Sequence, residues 1–309
     1  MNIIKPFVVM VIVYYEFSKN SSGLIKLLTI CLGLYTLMGL TVVGFDINNE
    51  GRLSSVELGN QLPLNIVFLI FFVCLRFSGK EINFTKTILL VVFSLLIISL
   101  SGTRKAFGAG MLIIVSTLIS YINFKSVKTI IAVLLCVILL FFGYKYMMDN
   151  TVMGDRMAES SEVGEKYNTS NIKALNMLGD RTYFYILGWE IFKENPQTGI
   201  GLENYRAKTG SLYRIHSEYI VQLAECGIIG SILFLLFYLS IGSKLYKHWR
   251  WYPQKRNITW VMIGGFVAIA FINFTAWTYS FPVYFAVFGV IISYIKQIIN
   301  TSDENSNTR

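Results

Sequence analysis

Long apolar runs broken by short polar turns occupy most of the chain. A run that crosses a bilayer needs about 20 mostly apolar residues, because a helix rises about 1.5 Å per residue through a hydrocarbon layer of about 30 Å. Such runs lie at 24–45, at 87–100 with its flanks, and at 106–124, 129–147, 226–246, 258–277 and 281–299. Shorter ones lie at 6–17 and at 64–77, which ends on Arg76. The pattern predicts an all-α integral membrane protein, a polytopic bundle of about nine transmembrane helices. One long hydrophilic stretch interrupts it. The expected organisation is an N-terminal bundle of about six helices over 1–147, a large loop over 148–218 containing short interfacial helices, three C-terminal helices over 219–300, and a tail over 301–309.

Composition strengthens this reading. Of 309 residues, 54% are hydrophobic and 15% charged, with a mean hydropathy of +0.56, whereas soluble domains carry about 25% charged residues. Charge then orients the ladder, because Lys and Arg collect in short cytoplasmic loops while long translocated loops are exempt. With 148–218 outside, Lys19, Lys26, Arg76, Lys80, Lys86, Lys125, Lys128, the five basic residues from Lys244 to Arg256, Lys296 and Arg309 fall on the cytoplasmic side. The short outer segments keep Lys5, Arg52, Arg104, Lys105 and Lys145. The opposite orientation would expose the basic 244–256 loop outside, so a cytoplasmic C-terminus is expected. The net charge of +9 is thereby explained by a membrane, and no nucleic-acid partner is expected. Six helices before an external loop also put the N-terminus outside, with no signal-peptide pattern to account for that start.

Several chemistries find no support. Cys31, Cys74, Cys136 and Cys226 are scattered through or beside apolar runs without a CxxC pair and read as small buried hydrophobes. Two histidines and the lack of HExxH or GxxxxGK[ST] give no pattern for a metal site, a cofactor or nucleotide hydrolysis.

The informative polar residues lie on the outer side. Arg104 and Lys105 close the turn Ser101-Gly102-Thr103-Arg104-Lys105, where short loops should lack positive charge. They either snorkel to lipid headgroups or meet an anion, and an arginine fork suits phosphate oxygens. In the loop, 149–180 carries Asp155, Glu159, Glu162 and Glu165 as solvated charges and is assigned no chemistry. Asp180 can cap a helix over 182–194. Tyr185, Trp189 and Phe192 would share one face of it, in the membrane interface. Arg181 stands at its N-terminal end, where the helix dipole also favours an anion. The turn Asn195-Pro196-Gln197-Thr198-Gly199-Ile200-Gly201 ends that helix, and its GxG is no phosphate loop without a preceding strand. Arg214-Ile215-His216-Ser217-Glu218-Tyr219 then leads into the next apolar run. On a helix, His216, Tyr219 or Ile220, and Leu223 share a face, which puts His216 at the outer mouth of the bundle. A lone histidine is usually structural, and His248, in the basic loop, reads so.

Taken together, Arg181 with Trp189 eight positions on, Asn-Pro-x-x-Gly-x-Gly at 195–201, and His216-Ser217 running to Ala224-Glu225-x-Gly227-x-x-Gly230 resemble the O-antigen ligase and Wzy-type polymerase superfamily. Ser101 to Arg104 is similar to that family's outer-face arginine motif, and Arg52, ahead of Gly59 to Asn65, is similar more loosely to an earlier one. The resemblance implies an integral membrane glycosyltransferase with a long external loop before the last three helices. It also implies about a dozen helices, three more than the spans read here. The chain is therefore expected to be a member shortened at its start, or one whose start lies further upstream, and the activity of a shortened chain would turn on whether the lipid-binding groove needs the absent helices.

The implied reaction moves a glycan from a polyprenyl diphosphate carrier to a sugar hydroxyl. Arg104 and Arg181 would stabilise charge growing on the leaving diphosphate. His216, with the reference pKa nearest neutrality at about 6.5, would take the hydroxyl proton. No metal is expected. Arg214, Arg52 and Lys105 are candidates for substrate contact, and Trp189 and Tyr219 for stacking on sugars. The preferred reading is a polymerase of capsular or exopolysaccharide repeat units in the bacterial plasma membrane, with a chain-length regulator and a flippase as partners besides membrane lipids. A ligase that transfers O-antigen or protein-linked oligosaccharide is the nearest alternative. A lipid-linked sugar transporter or a non-catalytic scaffold would be a different class; a transporter should show midplane charges and repeated halves.

Overall fold

The computed structural model describes residues 4–42, 61–121, 145, 181–210, 215–276, 278 and 281–307. Among these the regular elements are helices, with no strand. They are α1 (Ile4–Lys19), α2 (Ser21–Val42), α3 (Gln61–Ser78), α4 (Phe84–Leu100), α5 (Arg104–Tyr121), α6 (Arg181–Glu194), α7 (Tyr205–Thr209), α8 (Glu218–Trp251), α9 (Arg256–Asn273) and α10 (Pro282–Asn307).

Four stretches among the described residues are long and apolar enough to cross a bilayer: Ser21–Thr41, Gln61–Ser78, Glu218–Trp251 and Pro253–Asn273. Phe84–Leu100 and Pro282–Lys296 are shorter apolar helices. The runs at 6–17 and 106–124 form α1 and α5. The run at 129–147 and the polar stretch at 149–180 lie outside the described residues, apart from Lys145. Of about nine expected spans, four therefore stand on length and composition. The helix α10 also continues to Asn307, through the segment expected as a tail.

The centre of the bundle is α3, whose side chains from Leu62 to Leu75 are buried on almost every side. A helix that is apolar all round belongs in such a position. It packs against α2, α4, α5 and α9, while α1 runs beside α10 and α5 lies along α9. Lipid supplies no hydrophobic drive between helices, so close backbone approach through small residues does that work. On α9, a Cβ at Gly264 would meet the Ser116 hydroxyl of α5, and one at Gly265 would meet the Phe71 ring of α3 at 2.5 Å. Apolar side chains such as Leu34, Leu89 and Leu233 point outward instead, as lipid-facing residues do.

The two ends of the bundle differ. At one end, the α3–α4 turn is held by the Arg76–Glu81 ion pair at 3.1 Å, and Phe77 stacks on Phe84 and Tyr121. Lys19, Lys80, Lys86, Arg250, Lys255 and Arg256 cluster at this same end. At the other end lie the Ser101–Thr103 turn, the start of α8 and the segment joining α9 to α10. Lys105 there donates from Nζ to the Thr275 carbonyl at 3.4 Å.

At 34 residues and about 1.5 Å each, α8 would measure about 51 Å, far longer than a hydrocarbon layer. It is broken at Gly227, whose φ of 64° and ψ of −165° are not helical. The part after the break spans the bundle. The part before it, 218–226, builds a second, smaller core with α6 and α7 around Ile191, Tyr205, Ile215, Val221 and Ala224.

Candidate functional site

The break in α8 is filled by the turn that follows α6. Backbone N–H groups of Ile200 and Gly201 donate to the carbonyls of Ala224 and Glu225 at 3.0 and 2.8 Å, and those of Ile228 and Ile229 donate to Pro196 and Gln197 at 2.8 and 3.3 Å. A helix break leaves carbonyls and amides without partners, and this turn supplies them. The approach is close enough to demand glycine on both sides: a Cβ on Gly199 would strike the backbone of Glu225 and Cys226, and one on Gly227 would strike that of Gln197. Gly199 and Gly227 also have φ of 66° and 64°, where only glycine is comfortable. The buried Glu225 completes the joint, its carboxylate accepting from the backbone N–H of Glu203 at 2.9 Å and of Tyr205 at 3.4 Å. The Asn-Pro-x-x-Gly-x-Gly and Ala-Glu-x-Gly motifs are thus two halves of one structural joint.

That joint holds α6 against α8. The inward face of α6 is Phe184, Leu187 and Ile191, with Gly188 lacking the side chain that would collide with Ile215 and Ile220. Tyr185 reaches toward the α9–α10 segment. Its hydroxyl lies 2.7 Å from the Phe274 carbonyl and 3.1 Å from that of His216, one proton serving both.

His216 precedes α8 rather than riding on it. Ser217 is the N-cap, with extended φ and ψ of −149° and 124°, so His216 does not share a helical face with Tyr219 or Leu223. Its ring is partly exposed and meets Phe184 edge-on at 6.4 Å. Directly below it is a buried polar network that the sequence did not reveal. Glu218, wholly buried, accepts from Gln222 Nε2 at 2.7 Å and from the backbone N–H of Thr278. The Thr278 hydroxyl donates to Asn273 Oδ1 at 2.7 Å, and Asn273 Nδ2 donates to the Tyr238 hydroxyl at 2.6 Å. Glu218 N and Ser217 Oγ donate to the carbonyls of Ala276 and Asn273 at 3.1 and 3.4 Å. A buried carboxylate is tolerable only with such partners. The start of α8 and the α9–α10 segment are therefore tied into one unit beneath His216.

The other predicted residues fall as follows. Arg104 and Lys105 open α5 directly after the buried Ser101–Thr103 turn, in which Gly102 has a φ of 62°. Through its bond to Thr275, Lys105 reaches the residue next to Phe274, which Tyr185 links to His216. Arg181 is the first residue of α6, one turn before Tyr185. Trp189 is exposed and packs on Phe192 at 5.1 Å. Tyr219 turns to α9, its hydroxyl donating to the Ala270 carbonyl at 3.0 Å and its ring lying 4.7 Å from Phe274. Arg52 and Arg214 lie outside the described residues. His248 belongs to the last turns of α8 and not to a loop; it is buried, with Nδ1 2.8 Å from the Thr259 hydroxyl.

One end of the bundle thus gathers cationic residues, a histidine with a partly exposed ring, and a buried network that fixes the backbone around both. Residues 89–235 match the family model described as O-antigen ligase, a range that holds Arg104, Lys105, Arg181, Trp189, His216, Tyr219 and both halves of the joint. No curated protein matches the chain. Residues 89–235 thus carry a domain similar to the O-antigen ligase family, a match that supports the O-antigen ligase/Wzy-type superfamily of membrane glycosyltransferases.

Proposed function

We propose that the chain polymerises polyprenyl-diphosphate-linked oligosaccharide repeat units on the outer face of the membrane. The observation that carries this reading is the pair of links meeting at Phe274 and Thr275: Tyr185 joins His216 to that segment, and Lys105 joins the Arg104 turn to it. A base and a set of cations are held at one end by one short piece of backbone.

In the reaction, the acceptor hydroxyl oxygen bonds to the anomeric carbon of the donor sugar, whose bond to the diphosphate oxygen breaks. The bonding pair leaves with the lipid diphosphate, and the hydroxyl proton passes to His216. Arg104, Lys105 and Arg181 offset the charge growing on the leaving oxygen, as preorganised cations do best in a site shielded from water. Glu218 is a positioning residue: it touches no reacting atom and holds the backbone that carries His216. Arg214 and Arg52 serve the glycan or its diphosphate, and Trp189 offers an exposed ring for a sugar face. The acceptor sugar and the carrier would both be drawn from the membrane surface.

A ligase reading has its own support in the family description, O-antigen ligase. Products separate the two. In cells lacking the chain, the polymerase reading expects single repeat units on their carrier, and the ligase reading expects full-length polymer retained on its carrier. His216→Ala, inserted at matched level, is expected to lower transfer by about 10²–10⁴, the usual worth of a general base. Unchanged transfer with that variant would remove His216 from the chemistry.

A further inference from the structure

At the end of the bundle away from His216, α8 and α9 border a groove of about 340 Å³. Gly242, Leu245 and Trp249 of α8 line it with Trp260, Ile263 and Phe266 of α9. The size falls within the roughly 300–1,000 Å³ of ligand pockets. At Gly242 a Cβ would make only ordinary contact with the Phe266 ring, at 3.6 Å, so the floor of the groove has room for a side chain. The wall is almost wholly apolar, so a hydrocarbon chain suits it.

The rim has the opposite character. Arg256, the first residue of α9, lies over the Trp249 ring at 5.3 Å from its centroid and donates from Nε to the Trp249 carbonyl at 3.3 Å. Its guanidinium is thereby held at the mouth of the groove with donors to spare. Lys255 precedes Arg256 and Arg250 follows Trp249 in the sequence, and between Glu225 and Asp303 the sequence has no acidic residue. The α9 N-terminus adds its dipole, with the Arg256 amide itself taken by the Pro253 carbonyl. Trp249 and Trp260 pack edge to face at 6.0 Å, at the level where aromatic rings favour the membrane interface. Retaining a basic loop on one side of a membrane requires neither the groove nor the stacked arginine.

We propose that this groove holds an acyl chain of an anionic glycerophospholipid from the leaflet at the basic end, with the headgroup phosphate on Arg256 and the α9 N-terminus. The site is independent of the polymerase and ligase readings.

The test uses the full chain in phosphatidylcholine nanodiscs containing a phosphatidylglycerol with a diazirine on its acyl chain. After illumination, labelled peptides are mapped by mass spectrometry. Label is expected on 242–249 and 260–267 and should be competed about tenfold better by phosphatidylglycerol than by phosphatidylcholine, whose phosphate comes with a choline cation that Arg256 repels. Arg256→Gln should abolish that preference. Gly242→Leu should fill the groove and remove the label while the melting temperature holds. Should Gly242→Leu fail to insert, Arg256→Gln alone decides. Label spread evenly over the lipid faces of α2, α4 and α8, equal competition by phosphatidylcholine, or competition by polyprenyl diphosphate in place of phosphatidylglycerol would each overturn the proposal.

Discussion

Glu218 shows how far a single buried carboxylate can reach. It accepts from Gln222 and from the Thr278 backbone, so both of its oxygens are engaged. In Glu218→Gln one acceptor oxygen remains, and the new amide NH₂ must face another donor. Each unsatisfied buried partner costs about 1–3 kcal/mol. Glu218→Gln should therefore insert, melt lower than the parent and slow transfer by about tenfold, and Glu218→Ala should be worse on both counts. Glu218→Gln with full transfer and an unchanged melting temperature would show that the network does not position His216. Little of this network could be read in advance. An acid just after a histidine at a helix start looks like an ordinary first-turn acid, and its partners Asn273 and Thr278 lie more than fifty residues away in an apolar stretch. Arg104, Lys105 and His216 were legible because each is a polar group where the membrane pattern does not want one. The expectation that His216 rides on the helix failed for a local reason: Ser217 is extended and its hydroxyl bonds the Asn273 carbonyl, so the helix starts only at Glu218 and leaves His216 outside.

Among the elements, α8 was legible as an apolar run at 226–246 with a helical stretch leading into it, and its break at Gly227 was not. The residues before Gly227 are of mixed polarity because they face α6 and α7 rather than lipid. Nor could the Pro and glycines at 195–201 be read as more than a turn, since their partner is a gap in a helix almost thirty residues later. The structure makes their role testable. Gly227→Ala should destabilise the α6–α8 unit by about 1–3 kcal/mol for the backbone strain alone, with the collision against Gln197 added. Gly210, with a φ of 66° but open space where a Cβ would go, is the control. Gly210→Ala should cost about 1–2 kcal/mol at most and leave the joint intact. Limited proteolysis between α6 and α8, in membranes, would separate them; equal cleavage of both variants would mean that the joint contributes nothing to stability.

For the whole molecule, helicity and membrane character followed from periodicity and hydropathy, because lipid leaves a backbone few alternatives. Which helices touch did not follow, since packing by van der Waals contact leaves weak marks in a sequence. The placement of α3 at the centre did not follow either, since 64–77 read only as one of the shorter runs. Sidedness is a prediction at this scale. In a background without native cysteines, a membrane-impermeant maleimide should label Arg206→Cys on intact cells and reach Lys80→Cys only after permeabilisation; the reverse result would turn the protein over and put the proposed chemistry on the cytoplasmic side.

The joint at Gly227 also bears on how the protein is made. Its two halves leave the ribosome at different times, the 195–201 turn first and α8 after it. Until they meet, Ala224, Glu225, Ile228 and Ile229 present four unpaired backbone groups at the edge of the lipid. Insertion of α8 by the translocon is thus only a provisional step, completed when the loop docks. A chain stalled between the two would display a flaw that membrane quality-control proteases can recognise, so defects in the loop should appear first as lost protein and only afterwards as lost catalysis.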